Sequence, residues 1–215
     1  MDVLDYSGVS YHYVRLRNWR GAFMLDGVGY RYFYSAISMA WRTERCVELP
    51  VVKALVEATA PDDVLEVGDV LHQYYGFRHT VVDKYERRPG VVSEDITSYN
   101  PDRNFKLIVC ISTLEHVGYD ESPRDDGKAL DAIACMKRLL KPGGVLFATV
   151  PVGWHPRLDE GLDSQRSLFE KILFMRRVGY DRWVECGRDG LDGVRFHRPY
   201  PAANGLRLCF WTRRG

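Results

Sequence analysis

The chain has 215 residues, 46% hydrophobic and 27% charged, with 30 Lys+Arg against 29 Asp+Glu and a net charge of +1. That size suits one globular domain of generous extent, and the charge balance argues against a nucleic-acid partner, which would leave a basic excess. No stretch approaches the roughly 20 apolar residues of a membrane span.

The first residues, Met1-Asp2-Val3-Leu4-Asp5, are acidic and lack the basic-then-apolar order of a signal peptide. The five cysteines are scattered, odd in number and without C-x-x-C spacing, which indicates neither a zinc site nor a disulfide framework. Cys110 and Cys135 sit in apolar runs and read as small core residues. The expected setting is a reducing cytoplasm with no membrane association.

Residues 1–46 form an N-terminal flap in this reading. They are dense in aromatics between 10 and 34, and partial alternation around Tyr11–Arg17 and Tyr30–Tyr34 suggests strands or a hairpin. Trp19, Tyr30 and Tyr32, with the later Trp154, could wall an acceptor site. Packing of the flap onto the core is the simpler role. An exposed aromatic flap would also suit a homodimer surface.

Residues 47–152 read as the α/β core. Val47–Thr59 has helical spacing, with Pro50 placed in a first turn. Strands follow at Asp63–Val67, His79–Asp83, Val91-Val92 and Lys106–Ser112, as continuous apolar runs of the kind buried on both faces. Asp125–Leu140 is a helix with acids at its start and Lys137, Arg138 and Lys141 at its end, matching the helix dipole. Pro142-Gly143-Gly144 stops it and turns into a fifth strand, Val145–Val150. Such alternation means a doubly wound, mostly parallel sheet.

Residues 153–215 complete the same domain, with a helix near Ser164–Phe169 and short strands, Leu206–Thr212 being the best. This β-rich part is expected to cover the acceptor side. The basic run from Arg166 to Arg188 reads as a solvated face.

Two parallel strands each end on an acid, Glu66 and Asp83, a pattern that suits a nucleoside at the carboxyl edge of an open sheet. The order of motifs is more specific. Val64-Leu65-Glu66-Val67-Gly68, Val82-Asp83, Glu94-Asp95-Ile96, Leu107 to Ser112 with Leu114-Glu115-His116-Val117, and Leu139-Leu140-Lys141-Pro142-Gly143-Gly144 together resemble class I S-adenosylmethionine-dependent methyltransferases of small-molecule or glycan type.

That resemblance implies methyl transfer from S-adenosylmethionine to a small-molecule acceptor, with an oxygen of a sugar or secondary metabolite expected first and nitrogen and carbon acceptors left open. It places Glu66 and Gly68 under the methionine end of the cofactor and Asp83 on the ribose hydroxyls. It also puts Asp95 on the adenine amino group, Ile96 over the ring and Ser112 beside the sulfur. Where the family continues Gly-x-Gly-x-Gly, this chain has Gly68-Asp69-Val70-Leu71-His72, so either the loop takes another course, with Asp69 and His72 lining the pocket, or the cofactor is bound more weakly. A noncatalytic module that keeps the fold is the alternative, and a side-chain-filled pocket would mark it. A nucleotide-dependent oxidoreductase is the weaker rival, since a pyrophosphate needs those missing glycines more.

His116, just past the fourth strand, and His155, in the loop after the fifth, are the candidate bases for a hydroxyl acceptor. Glu115 is expected to be structural. Ser112 stands where related metal-dependent enzymes carry an extra acid, so no metal is expected. Glu44, Arg45 and Glu48 read as a surface ion-pair group without function.

Overall fold

Ala22–Leu25 (β1) and Val28–Arg31 (β2) pair as an antiparallel hairpin. Its turn residues Asp26 and Gly27 both have positive φ, 53° and 77°, the left-handed pair that matches the twist of two-residue hairpins. The structure, a computed structural model, describes residues 21–164 and 168–215. The strand expected at Tyr11–Arg17 and the wall position of Trp19 lie outside them. Tyr30 and Tyr32 take the packing role: Tyr30 stacks on Phe23, and the Trp183 amide donates to the Tyr32 hydroxyl at 2.9 Å.

Helix Arg45–Glu57 (α1) begins two residues before its expected start, so Pro50 falls inside it rather than in its first turn. An interior proline leaves the carbonyl four residues back without its amide. Here that carbonyl, on Cys46, accepts the Phe33 amide at 2.9 Å.

The remaining strands are Val64–Val67 (β3), Thr80–Val82 (β4), Val91–Val92 (β5), Phe105–Ile111 (β6), Leu140–Pro151 (β7), Lys171–Arg177 (β8), Trp183–Cys186 (β9) and Gly205–Thr212 (β10). They make one eight-stranded sheet in the order β5-β4-β3-β6-β7-β10-β8-β9. The first five neighbours are parallel, while β10 runs antiparallel to both β7 and β8. The C-terminal strands therefore extend the sheet instead of covering it. The cause is legible in β10, whose residues 205–209 are all buried, as a strand between two others and two covered faces must be.

Lys128–Arg138 (α2) and Pro156–Ser164 (α3) complete the α-helices among the described residues. α3 precedes the helix expected near Ser164–Phe169. The apolar side chains of β6 alternate between the two faces. Ile108 and Cys110 pack with Ile133 and Met136 of α2 and Leu158 of α3, while Leu107 and Val109 pack with Val47 and Val52 of α1 and Phe23 of the hairpin.

The Lys141-Pro142-Gly143-Gly144 segment does not separate helix from strand. β7 starts at Leu140, directly after the helix cap at Leu139. Gly143 adopts φ +75°, and a Cβ at Gly144 would stand 3.0 Å from the Phe105 carbonyl. The chain steps from β3 outward to β4 and β5, then returns past β3 to β6 and β7. The crevice at that reversal is where open α/β sheets place ligands.

Candidate active site

A cleft of about 260 Å³ lies at this reversal. Its walls come from four strand ends: Val67 to Val70 after β3, Val82 to Tyr85 after β4, Glu94 to Ile96 after β5, and Thr113, His116, Val117 and Glu121 after β6. Gly68, Asp69, Asp83, Asp95, Ile96 and His116 are thus brought together as the sequence expects. Glu66, His72, Ser112 and His155 are not among the lining residues.

Gly68 has φ +86°, and a Cβ there would meet Thr113 Oγ1 at 2.3 Å. Only glycine combines that torsion with that approach. The side chain of Glu66 turns away from the cleft. Its Oε1 accepts the Val70 and Leu71 amides at 2.9 and 2.8 Å, and its Oε2 lies 2.7 Å from His79 Nε2. Glu66 therefore fixes the loop that replaces the glycine-rich turn. Asp69 faces the cleft and bonds the Arg88 guanidinium at 2.6 and 2.7 Å and His72 Nδ1 at 2.6 Å. His72 lines a separate cavity of about 170 Å³ with Arg78, His79 and Arg88.

Asp83 accepts the amides of Tyr85 and Glu86 on Oδ1, at 2.8 and 2.9 Å, and of Asp69 on Oδ2 at 3.1 Å. A carboxylate offers about four acceptor positions, so Oδ2 keeps one. Asp95 is fully engaged. Oδ1 accepts the Thr97 amide and hydroxyl, and Oδ2 pairs with Lys128 at 2.5 Å and Lys84 at 3.1 Å. Glu121 binds the same two lysines at 2.6 and 2.5 Å. Burial alone would raise the Asp95 carboxyl, yet hydrogen bonds from Lys128, Thr97 and Lys84 hold it well below the usual carboxylate range. The expectation that Asp95 receives an amino group is corrected accordingly: its lone pairs are already taken, and Lys84 presents a donor there.

Ser112, also expected at the cleft, is buried. It has φ 38° and donates its hydroxyl to Glu48 at 2.5 Å. Thr149 makes the same contact with Glu48 at 2.6 Å, and Arg45 closes the group at 2.5 Å. Glu48 is wholly buried, so the ion pair read as a surface feature instead ties α1 to the ends of β6 and β7. The strand end turns so that Thr113, not Ser112, faces the ligand side.

His116 is half exposed on the cleft wall. Its Nδ1 lies 2.5 Å from Asp120 Oδ2, and its ring meets the edge of Trp154 at 5.3 Å. With Nδ1–H donated to the carboxylate, Nε2 keeps its lone pair and lies 3.8 Å from Glu115 Oε1. Asp120 stands four residues on in the same turn, a spacing the sequence offered and the motif reading passed over. Trp154 also packs on Phe196 at 4.8 Å and is not among the residues lining the cleft. His155 is 1% exposed, and its Nδ1 accepts the Leu158 amide at 3.2 Å. It caps α3 as a neutral imidazole, burial lowering its basicity, and the expectation of a base there is corrected. Glu115 is buried beside His116, with Oε2 unpartnered, and burial followed by the nearby Glu48 pushes its carboxyl well above the usual range.

No family model and no curated protein matches the chain. Solved structures similar to it include the N-methyltransferase NodS from Bradyrhizobium japonicum WM9 in complex with S-adenosyl-L-homocysteine. It is 16% identical with a TM-score of 0.49, over 79% of this chain and 87% of that one. Another is an S-adenosylmethionine-dependent methyltransferase from Clostridium acetobutylicum ATCC 824, 12% identical with a TM-score of 0.41, over 98% and 99%. The fold is of the class I methyltransferase type. Its marks are the strand order and the reversed β10 between β7 and β8. No described helix is long and apolar enough to cross a membrane, and no described group of three or more His, Cys, Asp and Glu is placed to hold a metal ion.

Proposed function

We propose that the chain transfers a methyl group from S-adenosylmethionine to a hydroxyl of a small molecule, a sugar or secondary metabolite. The observation that carries this is the cleft itself. An apolar slot of Val67, Val82, Ile96 and Val117 lies beside Asp83, which retains an acceptor position, and His116 stands on the wall formed after β6. A planar base fits the slot, and one ribose hydroxyl fits the remaining lone pair of Asp83. The open cleft also weighs against the noncatalytic alternative, for which a side-chain-filled pocket was expected.

When bound, the cofactor would supply an electrophilic methyl group on a sulfonium. The residues contribute alignment and proton removal. Val67, Ile96 and Val117 fix the base, Gly68 and Thr113 set how closely the β3 and β6 ends approach, and Asp83 holds the ribose. His116 Nε2 accepts the hydroxyl proton, and Asp120 orients the ring and balances the imidazolium that forms.

Calorimetric titration of the full chain tests the cofactor assignment. Micromolar binding of S-adenosylmethionine is expected, with no binding of NAD. Asp83→Asn keeps one acceptor oxygen for the loop amides and is expected to weaken binding by on the order of tenfold, about 1.4 kcal/mol. Absence of binding at millimolar ligand by the folded chain would reject the assignment.

A further inference from the structure

The loop after β3 forms a closed circuit of hydrogen bonds. The Gly68 amide donates to the Val82 carbonyl at 2.9 Å and the Asp69 amide to Asp83 at 3.1 Å. The Val70 and Leu71 amides donate to Glu66 at 2.9 and 2.8 Å. Anion-binding loops work by aiming such amides at the ligand. Over residues 68–71 this loop has none left to aim.

The charges on the lining point the same way. Asp69, Asp83, Glu94, Asp95 and Glu121 all line the cleft. Arg88 neutralises Asp69, and Lys84 and Lys128 neutralise Asp95 and Glu121. Among the described residues no cation stands within 4 Å of Asp83 or Glu94, so the five lining carboxylates, taken together with the three cations that pair with them, carry two negative charges in excess. Apolar walls of low polarisability strengthen such a field.

We propose that this cleft selects its nucleoside by charge, with Asp83 and Glu94 as the discriminating pair: it favours the cationic sulfonium over the uncharged thioether and rejects nucleoside phosphates. The proposal rests on the methyltransferase reading of the same cleft and adds a consequence to it. Loss of the methyl group removes the positive charge from sulfur, so the product is held less tightly than the donor and leaves without strongly inhibiting the next turnover.

The test is calorimetric titration of the full chain with S-adenosylmethionine, S-adenosylhomocysteine and adenosine 5′-monophosphate, at low and at high salt. The sulfonium is expected to bind on the order of tenfold more tightly than the thioether at low salt, with the gap shrinking as salt rises. The monophosphate is expected not to bind. Glu94→Gln should narrow the gap severalfold while leaving the thermal midpoint unchanged, since the Glu94 side chain makes no hydrogen bond or ion pair among the described residues.

Equal or tighter binding of the thioether, with the sulfonium still bound, would overturn the charge selection and leave the methyltransferase reading standing. Binding of the monophosphate as tightly as the thioether would do the same. Silence from both sulfur ligands would overturn the two together.

Discussion

The Phe33 amide donates to the Cys46 carbonyl at 2.9 Å, the carbonyl that Pro50 leaves without an intrahelical partner. One bond thus repairs the helix and anchors the segment leading from the β1–β2 hairpin. An interior proline ordinarily costs about 3 kcal/mol relative to alanine. Here its main penalty, an unsatisfied carbonyl, is removed by Phe33. Pro50→Ala is therefore expected to change stability by less than about 1 kcal/mol in urea unfolding, against the gain of about 3 kcal/mol expected where the carbonyl was unsatisfied.

Gly68 and Thr113 join the ends of β3 and β6 at the base of the cleft. A Cβ at Gly68 would meet Thr113 Oγ1 at 2.3 Å on a backbone with φ +86°. Gly68→Ala is expected to destabilise by roughly 2–4 kcal/mol, combining left-handed strain with overpacking. Adding Thr113→Ala removes much of the clash but none of the torsional penalty, so the double variant should recover only about half of the loss. A double-mutant cycle by chemical unfolding reads both parts. Full recovery would show that the torsion at this position is relaxed and that sterics alone require glycine.

The core of the fold was legible because buried parallel strands announce themselves as apolar runs, broken in Val64–Val67 by Glu66 alone and in Phe105–Ile111 by Lys106 alone. The cleft lining was legible at Gly68, Asp83, Ile96 and His116 because strand ends are fixed by the same pattern. What stayed hidden depends on partners distant in sequence. Ser112 looks like a cleft residue until Glu48, on a helix well before it, takes its hydroxyl. Asp95 looks like a free acceptor until Lys84 and Lys128 converge on it. His155 reads as a loop base, whereas its ring accepts a helix amide three residues on. No periodicity records such pairings, because they are set by tertiary packing.

Glu115 makes stability depend on pH in an unusual direction. Its carboxyl is buried, with Oε2 unpartnered, and its folded-state pKa is raised well above the ordinary value of about 4.3. Between those two values the folded chain holds a proton that the unfolded chain has released, so stability from this group falls as pH rises through the window. Glu115→Gln carries no titrating proton there. The variant is expected to match the parent near pH 4 and to become progressively more stable than it toward neutral pH, in thermal scans. A difference that stays flat across that range would mean that Glu115 pairs with a cation in solution.

Asp120 acts only through His116, so its effect should divide cleanly between binding and turnover. The carboxylate holds Nδ1 at 2.5 Å and leaves Nε2 as the ring nitrogen it does not engage, on a residue of the cleft wall. Asp120→Asn keeps size and polarity but can neither favour the same tautomer as firmly nor balance an imidazolium. With a hydroxyl acceptor in hand, kcat is expected to fall by on the order of 10- to 100-fold, and His116→Gln by at least as much, within the usual range for a general base. The affinity for S-adenosylmethionine should stay unchanged in both, because neither residue belongs to the slot or to the ribose site. A kcat that survives both substitutions, with cofactor still bound, would remove His116 as the base and leave alignment of donor and acceptor as the whole of the catalysis.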